Sequence, residues 1–173
     1  SSTSTIFGNL TITGGSRVAA STEIGAKNVT IISFNFTATG EAINITGLNI
    51  TFNGTHLVSD LVQVGLYNSS AAAAGIYNGS GVNYDLIQWN TSGPLADRYN
   101  FSNIAFNITA GTTNTLLVVV NLTDFARAGR TFNASMEGAV DVVSTGVSSG
   151  QAITETFTSQ RSSSSTIKGN VSI

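Results

Sequence analysis

The chain has 173 residues, no cysteine and a formal net charge of -2 at pH 7. This length fits one domain with a buried core, and the lack of cysteine excludes disulfides and thiolate metal sites. Charged residues make up 9% of the chain against a typical ~25%, and the basic residues are scattered, which argues against nucleic acid as a partner.

Membrane-spanning and targeting patterns are missing from the sequence. The longest strongly apolar run, residues 116–120, is far shorter than the ~20 residues that cross a bilayer. We therefore expect no membrane span. The chain opens with "SSTSTIFGN", which is neither a signal peptide nor the long apolar helix of a type IV pilin, so we expect the mature form of an exported protein.

Apolar residues alternate with a period of two along most of the chain, which predicts strands with one buried face. The predicted strands are residues 29–39, 43–52, 61–67, 82–89, 104–108, 115–122, 131–137, 139–144 and 152–157. In residues 43–52 the apolar positions change phase at Gly47, which predicts a β-bulge. Residues 115–122, "TLLVVVNL", are nearly continuously apolar and predict a central strand covered on both faces.

Short turns rich in Gly, Asn and Ser separate these strands. A helical pattern is nearly absent: residues 122–129 could form one or two turns, with Thr123 as the cap and Gly129 as the stop. The sequence therefore predicts an all-β fold, an immunoglobulin-like antiparallel β-sandwich.

The surface carries an unusual density of N-x-S/T sequons. Fourteen of the 17 asparagines stand in such a sequon, about three times the number that random placement would give. They are Asn9, Asn28, Asn35, Asn44, Asn49, Asn53, Asn68, Asn78, Asn90, Asn100, Asn107, Asn121, Asn133 and Asn170.

On a strand, the middle residue of a sequon faces the core while the asparagine and its hydroxyl partner face solvent. Alternation of Asn and Thr on a polar strand face explains part of the pattern, but not the sequons in turns, such as Asn53 and Asn68. We expect heavy N-glycosylation of an exported protein, with covalent glycans in place of surface charge and no other cofactor.

Nearly the same nine residues stand near both ends of the chain. Residues 4–12 read "STIFGNLTI" and residues 165–173 read "STIKGNVSI". We call these segments the N-terminal motif and the C-terminal motif. The apolar face consists of Ile6, Gly8, Leu10 and Ile12 in the N-terminal motif and of Ile167, Gly169, Val171 and Ile173 in the C-terminal motif.

Because the two motifs have the same apolar pattern, we expect both to fit the same strand position in a β-sheet. We also expect one sandwich to contain only one such position. The other copy would then add to the open sheet of a neighbouring molecule, head to tail, and build a filament. Residues 5–13 are the first choice for this donor strand. The alternatives are a tandem array with a repeat of 161 residues, in which the C-terminal motif begins the next copy, and two edge strands that are alike by coincidence.

Three longer segments resemble the immunoglobulin-like repeats of prokaryotic surface and S-layer-type proteins. They are "AKNVTIISFNFTATGEAINITGLNITFNG" (26–54), "VSDLVQVGLYNSS" (58–70) and "FNITAGTTNTLLVVVNLTDFARAGRTFNASM" (106–136). The sequon density, the lack of cysteine and the strand-like N-terminus are also similar to subunits of archaeal threads and bundling pili. This resemblance implies a donor-strand-complemented filament that serves adhesion, cell contact or biofilm formation. The C-terminal motif departs from that pattern.

Residue clusters that could perform catalysis are not evident, and we expect no enzyme. His56 is the single histidine; a triad with Asp60 and a serine is much less expected than a surface histidine in a loop. The carboxylates show no metal-binding spacing. Lys27 and Lys168 are candidates for isopeptide crosslinks but are expected to be solvated.

The aromatic residues Trp89, Tyr67, Tyr77, Tyr84 and Tyr99 could instead form the sugar-stacking patch of a carbohydrate-binding module, although core or rim positions are more usual for them.

The favoured interpretation has residues 1–15 as an N-terminal donor strand and residues 16–173 as the sandwich, ending in the C-terminal motif. Its partners would be identical subunits in a helical filament outside the cell, with contacts to cell surfaces or glycans. The alternatives are a repeat domain of an S-layer or surface adhesin and a carbohydrate-binding module.

Overall fold

The computed structural model describes residues 7–69, 77, 84–90 and 97–169. Within these residues the secondary structure consists of thirteen strands and two single-turn 3₁₀ segments. The strands are β1 (Asn9–Ser16), β2 (Ser21–Glu23), β3 (Val29–Thr39), β4 (Ile43–Gly54), β5 (Leu61–Ser69), β6 (Tyr84–Asn90), β7 (Arg98–Ile108), β8 (Thr113–Leu122), β9 (Thr131–Met136), β10 (Val142–Gly146), β11 (Thr154–Phe157), β12 (Gln160–Arg161) and β13 (Ser165–Lys168).

The strands form two sheets. Sheet A has the order β11-β1-β3-β8-β5-β6, and sheet B has the order β10-β4-β9-β13-β2, with β7 paired to β4 and β12 paired to β9. The all-β sandwich prediction is confirmed. The sheets are mixed rather than purely antiparallel, because β1 runs parallel to β11 and β13 runs parallel to β2.

The main core lies between the sheets and follows the predicted alternation. In β4 the buried residues are Ile43 and Ile45, then Leu48, Ile50 and Phe52. The pairing of β4 with β7 shifts register between Ile45 and Gly47, so the predicted bulge is confirmed. The extra residue of the bulge explains how the apolar side chains before and after Gly47 lie on the same face of the sheet although their alternation changes phase there.

Strand β8 occupies the middle of sheet A, between β3 and β5. Its five residues from Leu116 to Val120 are fully buried, which confirms the prediction of a strand covered on both faces. Leu116, Val118 and Val120 belong to the core between the sheets. Leu117 and Val119 lie on the outer face beneath a separate cluster of aromatic side chains.

The helix considered for residues 122–129 is wrong. The segment forms turns in which the Ala126 N–H donates to the Thr123 carbonyl at 3.2 Å. Gly129 has φ +85, so it bends the chain into β9 rather than ending a helix. Among the described residues, no helix is long and apolar enough to cross a membrane.

The sandwich has two opposite ends. The entry end carries Gly8, Glu41 and the turn at residues 146–150. The exit end carries Gly169 and the turn at residues 124–130. Strand β4 runs from the first to the second, and its 12 residues span roughly 35–40 Å at ~3.3 Å per residue.

Candidate functional site: the two terminal strands

Strand β1 contains the second half of the N-terminal motif and lies inside sheet A of its own chain. It pairs antiparallel with β3 along its whole length, from Asn9 opposite Thr39 to Ser16 opposite Ile32. Its other side pairs with the short edge strand β11. Alternation along the strand turns Leu10 and Ile12 into the core, where they are 0% and 2% exposed, and turns Thr11 and Thr13 outward.

The start of β1 is held by the carboxylate of Glu41. Its Oε1 accepts hydrogen bonds from the Gly8 N–H at 3.2 Å and the Ser149 hydroxyl at 2.7 Å, while Oε2 accepts from the Ser148 and Ser149 N–H groups, both at 2.9 Å. The bonds from Ser149, together with those from Ser148 and Gly8, lower the pKa of Glu41. This carboxylate therefore ties the N-terminal strand to the turn at the entry end.

Gly8 lies in a crowded position. A Cβ there would lie 2.9 Å from both Glu41 Cγ and Ile153 Cδ1, closer than side-chain carbons pack. The close approach of these two side chains, rather than an unusual backbone angle, therefore favours glycine at this position of the N-terminal motif.

Strand β13 contains the first half of the C-terminal motif and lies inside sheet B. It pairs antiparallel with β9 and parallel with β2. Ser165 and Ile167 are both fully buried, and the Ser165 hydroxyl lies 2.8 Å from the Thr22 hydroxyl. The Ile167 N–H donates to the Arg130 carbonyl at 2.7 Å, and the Ile167 carbonyl accepts from the Gly129 N–H at 2.8 Å.

The expectation that one sandwich has a single place for such a strand is wrong. A sandwich has two sheets, and each supplies one position between an antiparallel and a parallel neighbour: β1 takes it in sheet A and β13 in sheet B. Of the predicted donor and C-terminal residues, Gly8, Leu10, Ile12, Ile167 and Gly169 are described. Ile6, Val171 and Ile173 lie outside the described residues.

Twelve of the sequon asparagines are described, and each is exposed or half-buried. Asn78 and Asn170 lie outside the described residues. Sheet B brings six of them together as three pairs that face each other on neighbouring strands: Asn44 with Asn107, Asn49 with Asn100, and Asn53 with Asn133. Within the second pair, the Asn100 Nδ2 donates to the Asn49 Oδ1 at 2.9 Å. Sequence spacing could not reveal this pairing.

The predicted aromatic patch divides between two places. Tyr67, Tyr77, Tyr84 and Trp89 gather on the outer face of sheet A, with Tyr67 and Tyr77 stacked at 4.3 Å between ring centroids. Burial raises the pKa of Tyr67. Tyr99 instead packs in the main core against Phe52, at 5.3 Å, where burial raises its pKa to about 12.

The histidine is buried, which corrects the expectation of a surface residue. His56 is 7% exposed, its Nε2 lies 3.6 Å from Asp97 Oδ1, and neither ring nitrogen has a hydrogen-bond partner among the described residues. Burial lowers its pKa. Asp60 does not complete a triad with it, because its carboxylate bonds to Arg130 and the Leu57 N–H.

The remaining candidate groups stay apart. The Lys27 amine is half exposed, donates to the Leu122 carbonyl at 2.8 Å and lies 3.9 Å from Asp124, while Lys168 is exposed. Among the described residues there is no group of three or more His, Asp or Glu side chains arranged to hold a metal ion.

Comparison with known proteins indicates the fold and nothing finer. No protein-family model and no curated protein matches the chain. A solved structure, the Hadza microbial sialidase Hz136, matches with a TM-score of 0.55 at 11% identity, over 88% of this chain and 31% of the sialidase. The chain thus spans less than a third of that enzyme, and the likeness is one of fold alone.

Two further solved structures are more distant. AvmM, described as catalysing macrocyclization in alchivemycin A biosynthesis, has a TM-score of 0.46 at 12% identity, over 95% of this chain and 91% of its own. Self-complemented MyfA, the major subunit of Myf fimbriae from Yersinia enterocolitica, has a TM-score of 0.30 at 12% identity, over 91% of this chain and 98% of its own. Likeness at this level does not indicate function.

Proposed function

We propose that the protein is a structural subunit of an extracellular, N-glycosylated filament, in which copies join head to tail by exchanging a terminal strand. The observation that carries this proposal is the placement of the described parts of the two related motifs at opposite ends of the sandwich, with Gly8 at the entry end and Gly169 at the exit end. Repetition of one end-to-end contact produces an open linear assembly rather than a closed ring.

Strand β1 is suited to exchange between identical chains. It is the first of the described strands, and the side of it that faces away from β3 pairs with the four-residue edge strand β11 and contacts the short strand β12. An identical segment from a neighbour would make the same contacts with β3 and the same hydrogen bond to Glu41. Exchange therefore needs no new complementary surface, which is why swapping of terminal elements is an accessible route to assembly.

Both ends of the sandwich also expose large apolar side chains. Phe7 is 66% and Val147 58% exposed at the entry end, while Phe125 is 91% and Leu57 51% exposed at the exit end. Stacking copies end to end would remove these four side chains from water, with a gain of ~25 cal/mol per Å² of apolar surface buried.

Electron microscopy and electrophoresis of the purified full-length protein test the proposal. We expect unbranched filaments in negative stain, and a ladder of oligomers when samples are loaded in SDS without heating that becomes a single band after boiling. As the matched control, we compare Leu10→Asp with Thr13→Asp, which place the same charge inward and outward on one strand without removing a sequon. Filaments should be lost in the first variant only; equal loss in both, or monomers from the unmodified protein at all concentrations, would contradict strand exchange.

Glycosylation is tested separately by mass spectrometry of glycopeptides from the protein produced in its natural host. We expect glycans at most of the sequon asparagines, because all those described are exposed or half-buried. The facing pairs on sheet B should be scored as pairs, since side chains directly opposite on neighbouring strands lie within ~5 Å. A protein with unmodified asparagines throughout would refute the idea that glycans replace surface charge.

A second candidate is a repeat domain within a longer tandem array of a surface protein. The same placement of the motifs at opposite ends favours it, because a chain that enters at one end and leaves at the other can continue directly into a further copy. The electrophoresis separates the two candidates: boiling in SDS takes a filament apart into single chains and leaves an array as one long polypeptide.

A further inference from the structure

The outer face of sheet B presents sequon asparagines in facing pairs. Strand β4 carries three of them, and each lies directly opposite a sequon asparagine of a neighbouring strand, on β7 or on β9. Side chains that face each other in this way have Cβ atoms about 5 Å apart. Each pair therefore offers two acceptor nitrogens for glycosylation at nearly the same point of the surface. The pairs are Asn44 with Asn107, Asn49 with Asn100, and Asn53 with Asn133.

The two sequons of a pair differ in how far the fold exposes their hydroxyl residue. A sequon is defined by the Ser or Thr two positions after the asparagine, so the transferring enzyme must reach both residues. In every pair this hydroxyl residue is exposed in one sequon and half-buried or buried in the other. The exposed residues are Ser102, Thr109 and Thr55, which belong to Asn100, Asn107 and Asn53, and the shielded residues are Thr51, Thr46 and Ser135, which belong to Asn49, Asn44 and Asn133.

The contrast is greatest where β4 pairs with β9. Ser135, the hydroxyl residue of the Asn133 sequon, is fully buried, and its hydroxyl donates to the Glu137 carboxylate. Thr55, the hydroxyl residue of the facing Asn53 sequon, is exposed just after the end of β4. The folded sheet thus favours transfer to Asn53 over transfer to Asn133.

The asparagines of the shielded sequons share a second property, which concerns their carboxamide oxygen. The Asn49 Oδ1 accepts a hydrogen bond from the Asn100 Nδ2 at 2.9 Å. The Oδ1 atoms of Asn44 and Asn133 are buried and have no hydrogen-bond partner among the described residues. A buried carbonyl oxygen without a donor is unfavourable, and the facing asparagine is placed to supply one.

Glycosylation of the facing asparagine keeps such a hydrogen bond possible. In transfer from a lipid-phosphate-linked oligosaccharide, the Nδ2 atom forms a bond to the anomeric carbon, the bond from that carbon to the phosphate oxygen breaks, and the nitrogen releases one of its two protons. The other N–H remains a donor. A glycan on Asn100 is therefore compatible with the hydrogen bond to the Asn49 Oδ1.

We propose that each facing pair is a single glycosylation site: the asparagine of the exposed sequon carries the glycan, and the opposite asparagine stays unmodified and accepts a hydrogen bond from the glycan-bearing nitrogen. The inference rests on the glycosylation in the proposed function and adds which residues are modified and what orients the sugars. The glycan-bearing residues are Asn53, Asn100 and Asn107, and the positioning residues are Asn44, Asn49 and Asn133.

Mass spectrometry of glycopeptides maps the modified residues in the full-length protein from its natural host. Cleavage after Phe, Tyr and Leu places the six asparagines in separate peptides. We expect glycans on the three glycan-bearing residues and unmodified side chains at the three positioning residues. Glycans on both members of the pairs, or on the positioning members alone, would overturn the proposal.

Two substitutions within one pair test the selection. Asn100→Gln should lower the intact mass by one glycan, because the fold shields the hydroxyl residue of the Asn49 sequon and Asn49 does not take over the glycan. Asn49→Gln, the matched control on the facing strand, should leave the number of glycans unchanged. Loss of a glycan in both variants, or a glycan on Asn49 in the first, would show that the fold does not select one sequon.

Hydrogen exchange of the side-chain amide tests the positioning role. Asn49→Ala and Asn49→Asp both remove the sequon, but only the aspartate keeps an oxygen that accepts a hydrogen bond. In the glycosylated protein, NMR should show slow exchange of the Asn100 Nδ2–H that is lost in the alanine variant and kept in the aspartate variant. Equal exchange in the two variants would refute the positioning role.

These outcomes are separable from those of the proposed function. Unmodified asparagines throughout would overturn both the pairing and the glycan coat. Glycans on both members of every pair leave the glycan coat standing and overturn the pairing. If each pair carries one glycan but the protein stays monomeric, the pairing stands and the filament is wrong.

Discussion

Replacing Leu10 by alanine tests whether β1 contributes to the folded chain as the structure shows. Leu10 is fully buried between the sheets, so the change removes its packing and leaves a cavity. Such substitutions cost about 2–5 kcal/mol. A loss near 3 kcal/mol would lower the melting temperature of a domain of this size by roughly 6–12 °C.

Thermal unfolding followed by circular dichroism measures this shift, and Thr11→Ala is the matched control. Thr11 is the next residue on the same strand but faces outward, so its replacement should cost about 1 kcal/mol or less. A Leu10→Ala loss no larger than that of Thr11→Ala would refute the placement of β1 in a sheet.

The concentration dependence of the same transition shows which chain supplies β1. If the strand comes from its own chain, the melting temperature does not change with protein concentration. If a neighbour supplies it, the melting temperature rises with concentration, because association stabilises only the folded state. Leu10→Ala lowers stability in both cases, so the substitution and the concentration series answer different questions.

Three further predictions concern pH and packing. Because the pKa of Glu41 is lowered, its carboxylate stabilises the fold at pH values above its ordinary pKa of about 4.5, and this contribution is lost as the pH falls through the lowered pKa. Glu41→Gln should therefore flatten this part of a plot of stability against pH. An unchanged plot would contradict the prediction. The lowered pKa of His56 means that stability decreases as the pH falls from about 6.5 towards the lowered value, because the unfolded chain takes up the proton first; denaturant unfolding of His56→Phe should lack this decrease. A Cβ at Gly65 would lie 2.7 Å from the Trp89 ring. Gly65→Ala should therefore lower the free energy of unfolding by about 1–3 kcal/mol and shift the fluorescence of the single tryptophan. An unaltered spectrum would show that the Trp89 ring does not contact this glycine.

Local patterns predicted most of the strands because each strand has a face that must be buried. The alternation in β4, the phase change at Gly47 and the continuous apolar run in β8 each depend on neighbouring residues only, and all three predictions agree with the structure. Strands β2 and β12 were not predicted, since they have three and two residues and are too short to show a period. The N-terminal part of β7 was also missed.

Candidate site residues were predicted less well, because their environment comes from distant parts of the chain. The sequence predicted a surface position for His56, because it lies in a loop. In the structure it is buried, and its ring packs against Phe52 with 6.2 Å between the ring centroids. Glu41 has no motif around it, and its role depends on Gly8 and on Ser149, which is 108 residues away. The grouping of Tyr67 with Trp89 required the pairing of β5 with β6.

The sequence by itself determined that the protein is all-β, that its polar faces carry asparagine sequons, and that one motif stands near both ends. Each of these is a property of residues close together in the chain, where alternation and identity can be read directly. Only the tertiary structure decided that the described parts of the two motifs lie in different sheets, and that Gly8 and Gly169 lie at opposite ends of the sandwich. Those facts depend on which strands pair, and strand pairing is governed by burial between two sheets rather than by the pattern of any one strand.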